Sequence, residues 1–573
     1  MHKKTTPSPV KLIRRLLPAL HSRNMLISAE GQLKRSWPVA PGEFLRLYSD
    51  EPLILEVELN LEMAAPKAVL HTNLLSPEGS WEEIAFHRQS SRRFTLSLQP
   101  MRCGIFQFKL KYSPDNGASW FWDRTPYTKV IVDPAGARDV RLYTLIPSAS
   151  GHVGDWKNEL SRVRDMGFNI VHLLPVTRLD ASKSPYSAAD LFDMDPAFMD
   201  PADSRKSLDQ FEDFVLEAKN KGLGLCIDLV LNHIGINSRM AQSTPEWLVP
   251  DKNEANGLLR AGCWHMNRWI KWADLVRIYY DHPEPAVQKD IWKYMTSYAL
   301  FWANYAAFTG GMVRLDNLHS SHPGFITSLL TEIRAAYPAL IIQAEFFSDS
   351  NTLLKAAAES ELNLFLANPW EYPFAENLRE YLLYLHGISS KLRFLTTVST
   401  HDTGAPAQLY GAPEAVVPRY FITALMTTGQ TGMVQGAEHG VLQKIEFIGR
   451  TRKEPFETPD RFNVPIRKIN EIHRAFGLFH RGGNIAFVDN GHGAVIAALR
   501  EDAAGNGERF LLMANLDIEN SHVLSLSAAA WKRAGAGLVL HELIDNRRTH
   551  VNGDFLQVEL PPSGVRAYRF EYR

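Results

Sequence analysis

The stretch Gly310-Gly311-Met312-Val313-Arg314-Leu315-Asp316-Asn317-Leu318-His319 sets an arginine and an aspartate into an otherwise apolar run. A buried charge costs free energy unless it is paired or faces a cleft, so this composition is poor for a purely structural strand. An aspartate at the C-terminal end of a barrel strand sits where such barrels do their chemistry. Asp316 is therefore the first candidate nucleophile, with Arg314 beside it to keep it ionised. Glu345 closes the apolar run 340–344, His401-Asp402 follow the run 394–398, and Asp228, Asn232 and His233 lie at or just after the run 224–231. Two carboxyl groups brought close, one ionised and one with a raised pKa, can break a glycosidic bond through a covalent intermediate. Asp316 and Glu345 would make such a pair. Each signal alone is weak, because a strand-end Asp often caps a helix and a lone His is usually a satisfied hydrogen-bonding group.

The elements that must bring these residues together are eight apolar runs, at 140–146, 168–174, 224–231, 311–315, 340–344, 362–367, 394–398 and 432–435. Segments of helical periodicity alternate with them, at 155–166, 207–220, 286–308, 324–336, 351–360, 373–386, 413–427 and 464–480. Eight strand-helix units predict an α/β fold built on a (β/α)8 TIM barrel, whose strands all point their C-terminal ends at one rim. An open doubly wound sheet alternates in the same way, but no Gly-rich phosphate loop follows the first run. About 55 residues separate the third run from its helix, far more than an ordinary connection, so they form an inserted subdomain at about 234–286. It carries Trp247, Trp264, Trp269 and Trp272, of which at least two are expected in a local core and the rest against a ligand.

Residues 37–136 and 482–573 alternate with period two between Pro, Gly, Asn and Asp clusters, and predict β-sandwich domains on either side of a 137–481 barrel. Trp120, Phe121 and Trp122 fall on a turn of the first sandwich, where packing against the next domain is expected in preference to a sugar-stacking platform. Residues 1–36 read as an N-terminal arm, basic at its start, a surface segment or short amphipathic helix.

The 573-residue chain has a formal net charge of -1, with 45% apolar and 22% charged residues. Nothing in that balance favours nucleic acid, and no continuous apolar segment suits a membrane, so a neutral ligand is expected. Three widely spaced cysteines, Cys103, Cys226 and Cys263, form neither a disulfide framework nor a zinc site, and a cytoplasmic location fits them.

Four ordered motifs, Asp228-Leu229-Val230-Leu231-Asn232-His233, Gly311-Met312-Val313-Arg314-Leu315-Asp316, Ala344-Glu345 and Thr400-His401-Asp402, resemble those of the α-amylase superfamily, glycoside hydrolase family 13. The resemblance implies Asp316 as nucleophile, Glu345 as general acid/base and Asp402 as transition-state stabiliser. It also implies that Arg314 tunes Asp316, that His233 and His401 bind sugar hydroxyls, and that Tyr186 in Ser184-Pro185-Tyr186-Ser187 is the aromatic platform of the same subsite. Asp228 and His319 join them as substrate-binding candidates. The runs 168–175, 184–198 and 314–320 are similar to the transferase half of the eukaryotic-type glycogen debranching enzyme, over roughly residues 140 to 440. That similarity implies a stand-alone 4-α-glucanotransferase acting on α-glucan or maltooligosaccharides. An amylase-like hydrolase and an inactive glucan-binding protein are the alternatives. No cofactor or catalytic metal is implied; Asn232 matches a residue that holds a structural calcium in many amylases, and the other ligands of such an ion cannot be assigned. Val398-Ser399-Thr400 before His401 depart from the family's last motif.

Overall fold

The computed structural model describes residues 26–573 apart from 28–32, 60–64, 77–78, 266–267, 450–455, 457–460, 484, 503–506 and 534–535. The basic segment expected as an arm or amphipathic helix lies outside the described residues up to residue 25.

Eight parallel strands close into a barrel: β1 Arg141–Leu145, β2 Ile170–Leu173, β3 Gly224–Leu229, β4 Met312–Leu315, β5 Ile341–Ala344, β6 Leu364–Ala367, β7 Phe394–Thr397 and β8 Gln430–Val434. They fall on the eight apolar runs because a parallel barrel strand is buried on both faces, and every one of their residues is buried. Glycine decides one contact between them: a Cβ on Gly311 would sit 2.0 Å from Leu225 O, so only glycine lets the chain enter β4 this close to β3. Closure between β1 and β8 is reinforced by Glu438, fully buried, which accepts from the Tyr143 hydroxyl and, at 2.8 Å, from Arg162.

The predicted helices are present, with small shifts at their ends. The third is Pro285–Phe308, started by a proline at its first position, and the fourth is Pro323–Ala336, capped by His322. The segment expected as one helix over 413–427 divides into a 3-10 turn Pro413–Ala415 and a helix Val416–Leu425. The segment 464–480 becomes helix Asn463–Ala475 followed by the 3-10 turn Gly477–His480.

The insertion after β3 folds as a three-stranded antiparallel sheet, His233–Gly235, Arg268–Arg277 and Arg260–His265 in spatial order. Trp247, partly buried, packs on Tyr294 of the following helix, with ring centroids 5.3 Å apart, and lies against the edge of the core. Trp272 packs on His233 at 5.5 Å, Trp269 is 42% exposed, and the side chain of Trp264 lies outside the described residues.

Two sheets, of five and six strands, form the N-terminal sandwich around a core of Leu55, Val57, Leu70, Phe106, Phe108 and Val130. Strands Leu26–Ile27 and Leu33–Arg35 belong to it, ahead of the expected start at residue 37; Leu33 and Arg35 are buried, and Arg35 pairs with Asp123. Trp120, Phe121 and Trp122 do not pack against the barrel as expected. They stand 36%, 49% and 44% exposed, and the short strand Phe121–Trp122 pairs with the six-stranded sheet. The barrel is held to this sandwich by a buried ion network: Arg46 and Arg393 both lie on Asp133, at 2.7 and 2.6 Å, and Asn363 donates to it at 2.8 Å. The C-terminal domain sets a six-stranded sheet against the pair His522–Ser527 and Phe555–Leu560. Arg500, wholly buried, docks it by donating to Leu425 O and Thr427 O on the barrel. Among the described residues no helix is long and apolar enough to cross a membrane.

Candidate active site

The polar interruptions of the barrel strands meet at the C-terminal rim around Arg314. Register sets Arg314 on β4 beside Asp228 on β3 and Gln343 on β5. One terminal nitrogen, Nη1, donates to Asp228 Oδ2 at 2.6 Å and to Asp316 Oδ1 at 3.3 Å; the other, Nη2, lies 2.9 Å from Glu345 Oε2. One guanidinium therefore bridges three carboxylates, a geometry that its planar fork allows and an ammonium would not. Backbone geometry fixes the other side: Asn317, in the left-handed region at φ 43°, turns its N–H onto Glu345 Oε2 at 2.8 Å. Asn tolerates that conformation better than most side chains.

Electrostatics follow from four carboxylates around one arginine. Burial raises the Asp228 pKa, but Arg314 and His172 outweigh it and bring the carboxyl down to about 2. Asp316 goes the other way. Burial and the neighbouring Glu345 carboxylate push its pKa well above the ordinary range, and Arg314 opposes them without winning. The expectation that Arg314 beside it keeps Asp316 ionised is thus qualified by the structure: the guanidinium is divided among three acids. Asp402 has its side chain half open to solvent. Its cleft-wall surroundings raise its pKa, while His401, Arg314 and Lys444 together hold it below the usual carboxylate range.

Tyr186 and His401 lie face to face, centroids 5.7 Å apart and planes 9° from parallel, and the Tyr186 hydroxyl donates to Asp228 Oδ2 at 3.0 Å while lying 2.7 Å from His401 Nε2. His401 Nε2 is also 3.0 Å from Asp402 Oδ2. His233 is held by Tyr186 O at 3.1 Å, and burial lowers its pKa to about 4, so it is neutral at pH 7. Its Nδ1 has no hydrogen-bond partner among the described residues. His319 is the most peripheral of the expected set, stacked on Phe346 at 6.4 Å, with its pKa lowered by burial against the pull of Glu345.

Several members were not singled out from the sequence. His172 on β2 lies 3.3 Å from Asp228 Oδ2 and 3.0 Å from Thr144 Oγ1 on β1, and so extends the network across the first three strands. Its signal was available, a histidine interrupting the apolar Val171-His172-Leu173 in the manner of Arg314. Phe447 and Lys444 carry no such signal. They reach the site only because the segment after β8 folds back, placing the Phe447 ring 5.5 Å from His401 and Lys444 Nζ 3.3 Å from Asp402 O.

Calcium needs six to eight oxygen ligands. At Asn232, Oδ1 is without a hydrogen-bond partner among the described residues, but Nδ2 donates to Asn317 O at 3.3 Å. Three or more metal-ligating His, Cys, Asp or Glu side chains converge among the described residues only at Asp139, His473 and His480, at the opposite end of the barrel.

A closed parallel barrel with paired carboxylates at its C-terminal rim is the arrangement of a carbohydrate-active TIM-barrel protein. Residues 136–253 match the family model described as glycogen debranching enzyme, glucanotransferase domain. The chain is 20% identical over 474 residues to the α-1,4-glucan:maltose-1-phosphate maltosyltransferase of Picrophilus torridus, covering 78% of this chain and 72% of that protein. It is 24% identical over 235 residues to the intracellular maltogenic amylase of Bacillus subtilis, covering 39% and 35%. Against a second maltosyltransferase, from Arcanobacterium haemolyticum, the chain spans half the relative's length at 23% identity and 59% of its own. The fold superposes on the α-amylase of Geobacillus thermoleovorans with TM-score 0.60 and 16% identity over 76% of this chain and 98% of that one. On the debranching enzyme of Nostoc punctiforme the TM-score is 0.56, also at 16% identity, over 76% and 99%. In fold and motifs the chain is similar to proteins of the α-amylase superfamily, and its first barrel segment to a glucanotransferase domain.

Proposed function

We propose that the chain is a retaining 4-α-glucanotransferase that moves α-1,4-glucan segments through a covalent glycosyl-enzyme. The observation that carries this reading is the Arg314 bridge, which sets Asp316 and Glu345 on the two terminal nitrogens of one guanidinium. Such a bridge favours the short carboxyl separation of retaining enzymes, about 5 Å, over the roughly 6.5–9.5 Å that leaves room for a water. The cycle then needs one proton on the pair. In the empty site Asp316 competes for it; a glycosidic oxygen placed against Glu345 gives the proton a use there and frees Asp316 as the carboxylate.

Glu345 protonates the departing glycosidic oxygen as Asp316 attacks the anomeric carbon, breaking one C–O bond and forming another. Glu345, now ionised, takes the proton of an acceptor 4-hydroxyl, whose oxygen displaces Asp316 and completes the transfer. Asp402 supplies negative charge beside the sugar ring as positive charge develops on it. His401, Asp228 and the neutral His233 orient hydroxyls, and Tyr186 offers its ring face to the same sugar. The substrate class is supported by the relatives' names, which specify α-1,4-glucan, and by the debranching-type segment at 136–253. A cytoplasmic location is supported by the free cysteines and by relatives called intracellular.

Hydrolysis is the second reading, favoured by the half-exposed Asp402, because water that reaches it also reaches the intermediate. An acceptor held in place attacks as an intramolecular nucleophile and outcompetes water by effective concentration. With maltopentaose as sole substrate, transfer gives products longer and shorter than the donor at a nearly constant reducing-end count. A count rising in step with donor loss, without longer products, leaves an α-glucan hydrolase; binding without turnover leaves a glucan-binding protein.

A further inference from the structure

Outside the barrel, the six-stranded sheet of the N-terminal sandwich carries rings that serve no core. Trp81, Trp122 and Tyr127 are 43%, 44% and 41% exposed, yet each is fixed in place. Trp81 lies flat on His71, centroids 4.8 Å apart and planes 14° from parallel. Trp122 meets the same imidazole at 5.3 Å and 79°, and Tyr127 meets Trp81 at 5.2 Å and 72°. The two indoles are therefore steeply inclined to each other, on a face where strand register sets His71 opposite Glu83 and Lys109, and Trp122 opposite Lys111. Charged groups rim the rings: Lys111 bonds Glu83 at 2.7 Å and lies 5.5 Å from the Trp122 ring centroid, and Lys109 lies 5.3 Å from that of Tyr127.

We infer that this face is a second carbohydrate site, which holds a length of α-1,4-glucan on the N-terminal sandwich while a chain end occupies the barrel. The inference rests on the α-glucan reading above. Pyranose rings present C–H faces that stack on indole and phenol rings, and their hydroxyls need the donors and acceptors that the lysines and Glu83 supply at the edge. The steep inclination of Trp81 to Trp122 suits successive sugars of a curved α-1,4 chain better than a flat β-1,4 chain. A protein partner is a poorer fit, because the aliphatic residues paired on this face, Val69 and Ala85, are small and offer no anchor for an apolar interface. Order in the rings before any ligand arrives lowers the entropy cost of binding.

The test is native electrophoresis of the full chain through gels with and without glycogen, beside kcat/KM on maltopentaose. The double variant Trp81→Ala/Trp122→Ala should bind glycogen about tenfold or more weakly, two stacking contacts being lost. Its kcat/KM on maltopentaose should stay within about twofold of wild type, since neither ring touches the reacting groups. The single variant Trp122→Ser should show a smaller loss in the same direction. Glycogen affinity unchanged in the double variant, or equal retardation of wild type by cellulose oligomers, overturns the proposal. If the double variant loses glycogen affinity but wild type turns over no maltopentaose, the surface site stands and the transferase reading falls.

Discussion

Arg314 Nη2 lies 2.9 Å from Glu345 Oε2, while Nη1 of the same guanidinium reaches Asp228 at 2.6 Å and Asp316 at 3.3 Å. One cation thus neutralises part of three charges, and the remaining repulsion sets where protons sit.

Asp316→Asn and Glu345→Gln each keep shape and remove a charge that bond exchange needs. Each should lower kcat on maltopentaose by at least about a thousandfold without loss of the fold. Steady-state rates with circular dichroism as a fold control measure this. A variant that keeps a near wild-type rate and the same products would remove that residue from the mechanism.

Replacing Arg314 by Met leaves Asp228, wholly enclosed, without its counter-charge. Breaking one partner out of a buried ion cluster costs about 3–5 kcal/mol, so denaturant midpoints should fall markedly and activity should be lost. Arg314→Lys keeps the charge but cannot bridge two carboxyls at once. It should recover much of the stability and little of the rate, and equal recovery of both would show that charge alone is what the site needs.

The Tyr186 hydroxyl joins Asp228 to His401. Tyr186→Phe keeps the stacked ring and should cost roughly tenfold in kcat/KM, the worth of a hydrogen bond to a charged group. Tyr186→Ala should cost more, through KM, since the platform itself is gone. Equal effects from the two would assign the whole contribution to the hydroxyl.

Stability should fall as pH drops from 7 toward 4. Burial lowers the pKa of His233 to about 4 and that of His386 to about 3, below the unfolded histidine value of about 6.5, so in this window the unfolded chain binds protons that the folded chain refuses. Asp228, lowered to about 2, acts in a more acidic window: its contribution is present above about 3.9, the unfolded aspartate value, and is lost as pH falls toward 2. Urea unfolding of wild type and His386→Gln at pH 7, 5.5 and 4.5 checks the first part. The variant should be less stable at pH 7, because two backbone contacts lose their partner, and should show a shallower decline. A decline as steep as that of wild type would move the effect to other groups.

The barrel was legible because each of its strands is buried on both faces, which writes it into the sequence as a short apolar run. Arg314, Asp316, Glu345 and Asp402 were legible for the converse reason: a charged residue in or just after such a run has to be paired or functional. Trp247 and Trp272 were alike in sequence and differ in place, one against Tyr294 at the edge of the core and the other against His233 beside the site. Local composition carries no term for which neighbour a long excursion folds back upon.

By itself the sequence determined the eightfold alternation, the order of the polar motifs and hence the end of the barrel at which they meet, since those follow from burial and from strands that all run one way. Only the tertiary structure decided how the charges share one arginine, so that Asp228 falls to about 2 while Asp316 rises. It also decided that His172, Lys444 and Phe447 complete the site, and that Trp81 and Trp122 face solvent together. The reason is physical: pKa and stacking depend on distances between residues far apart along the chain, and those distances exist only once the chain has packed.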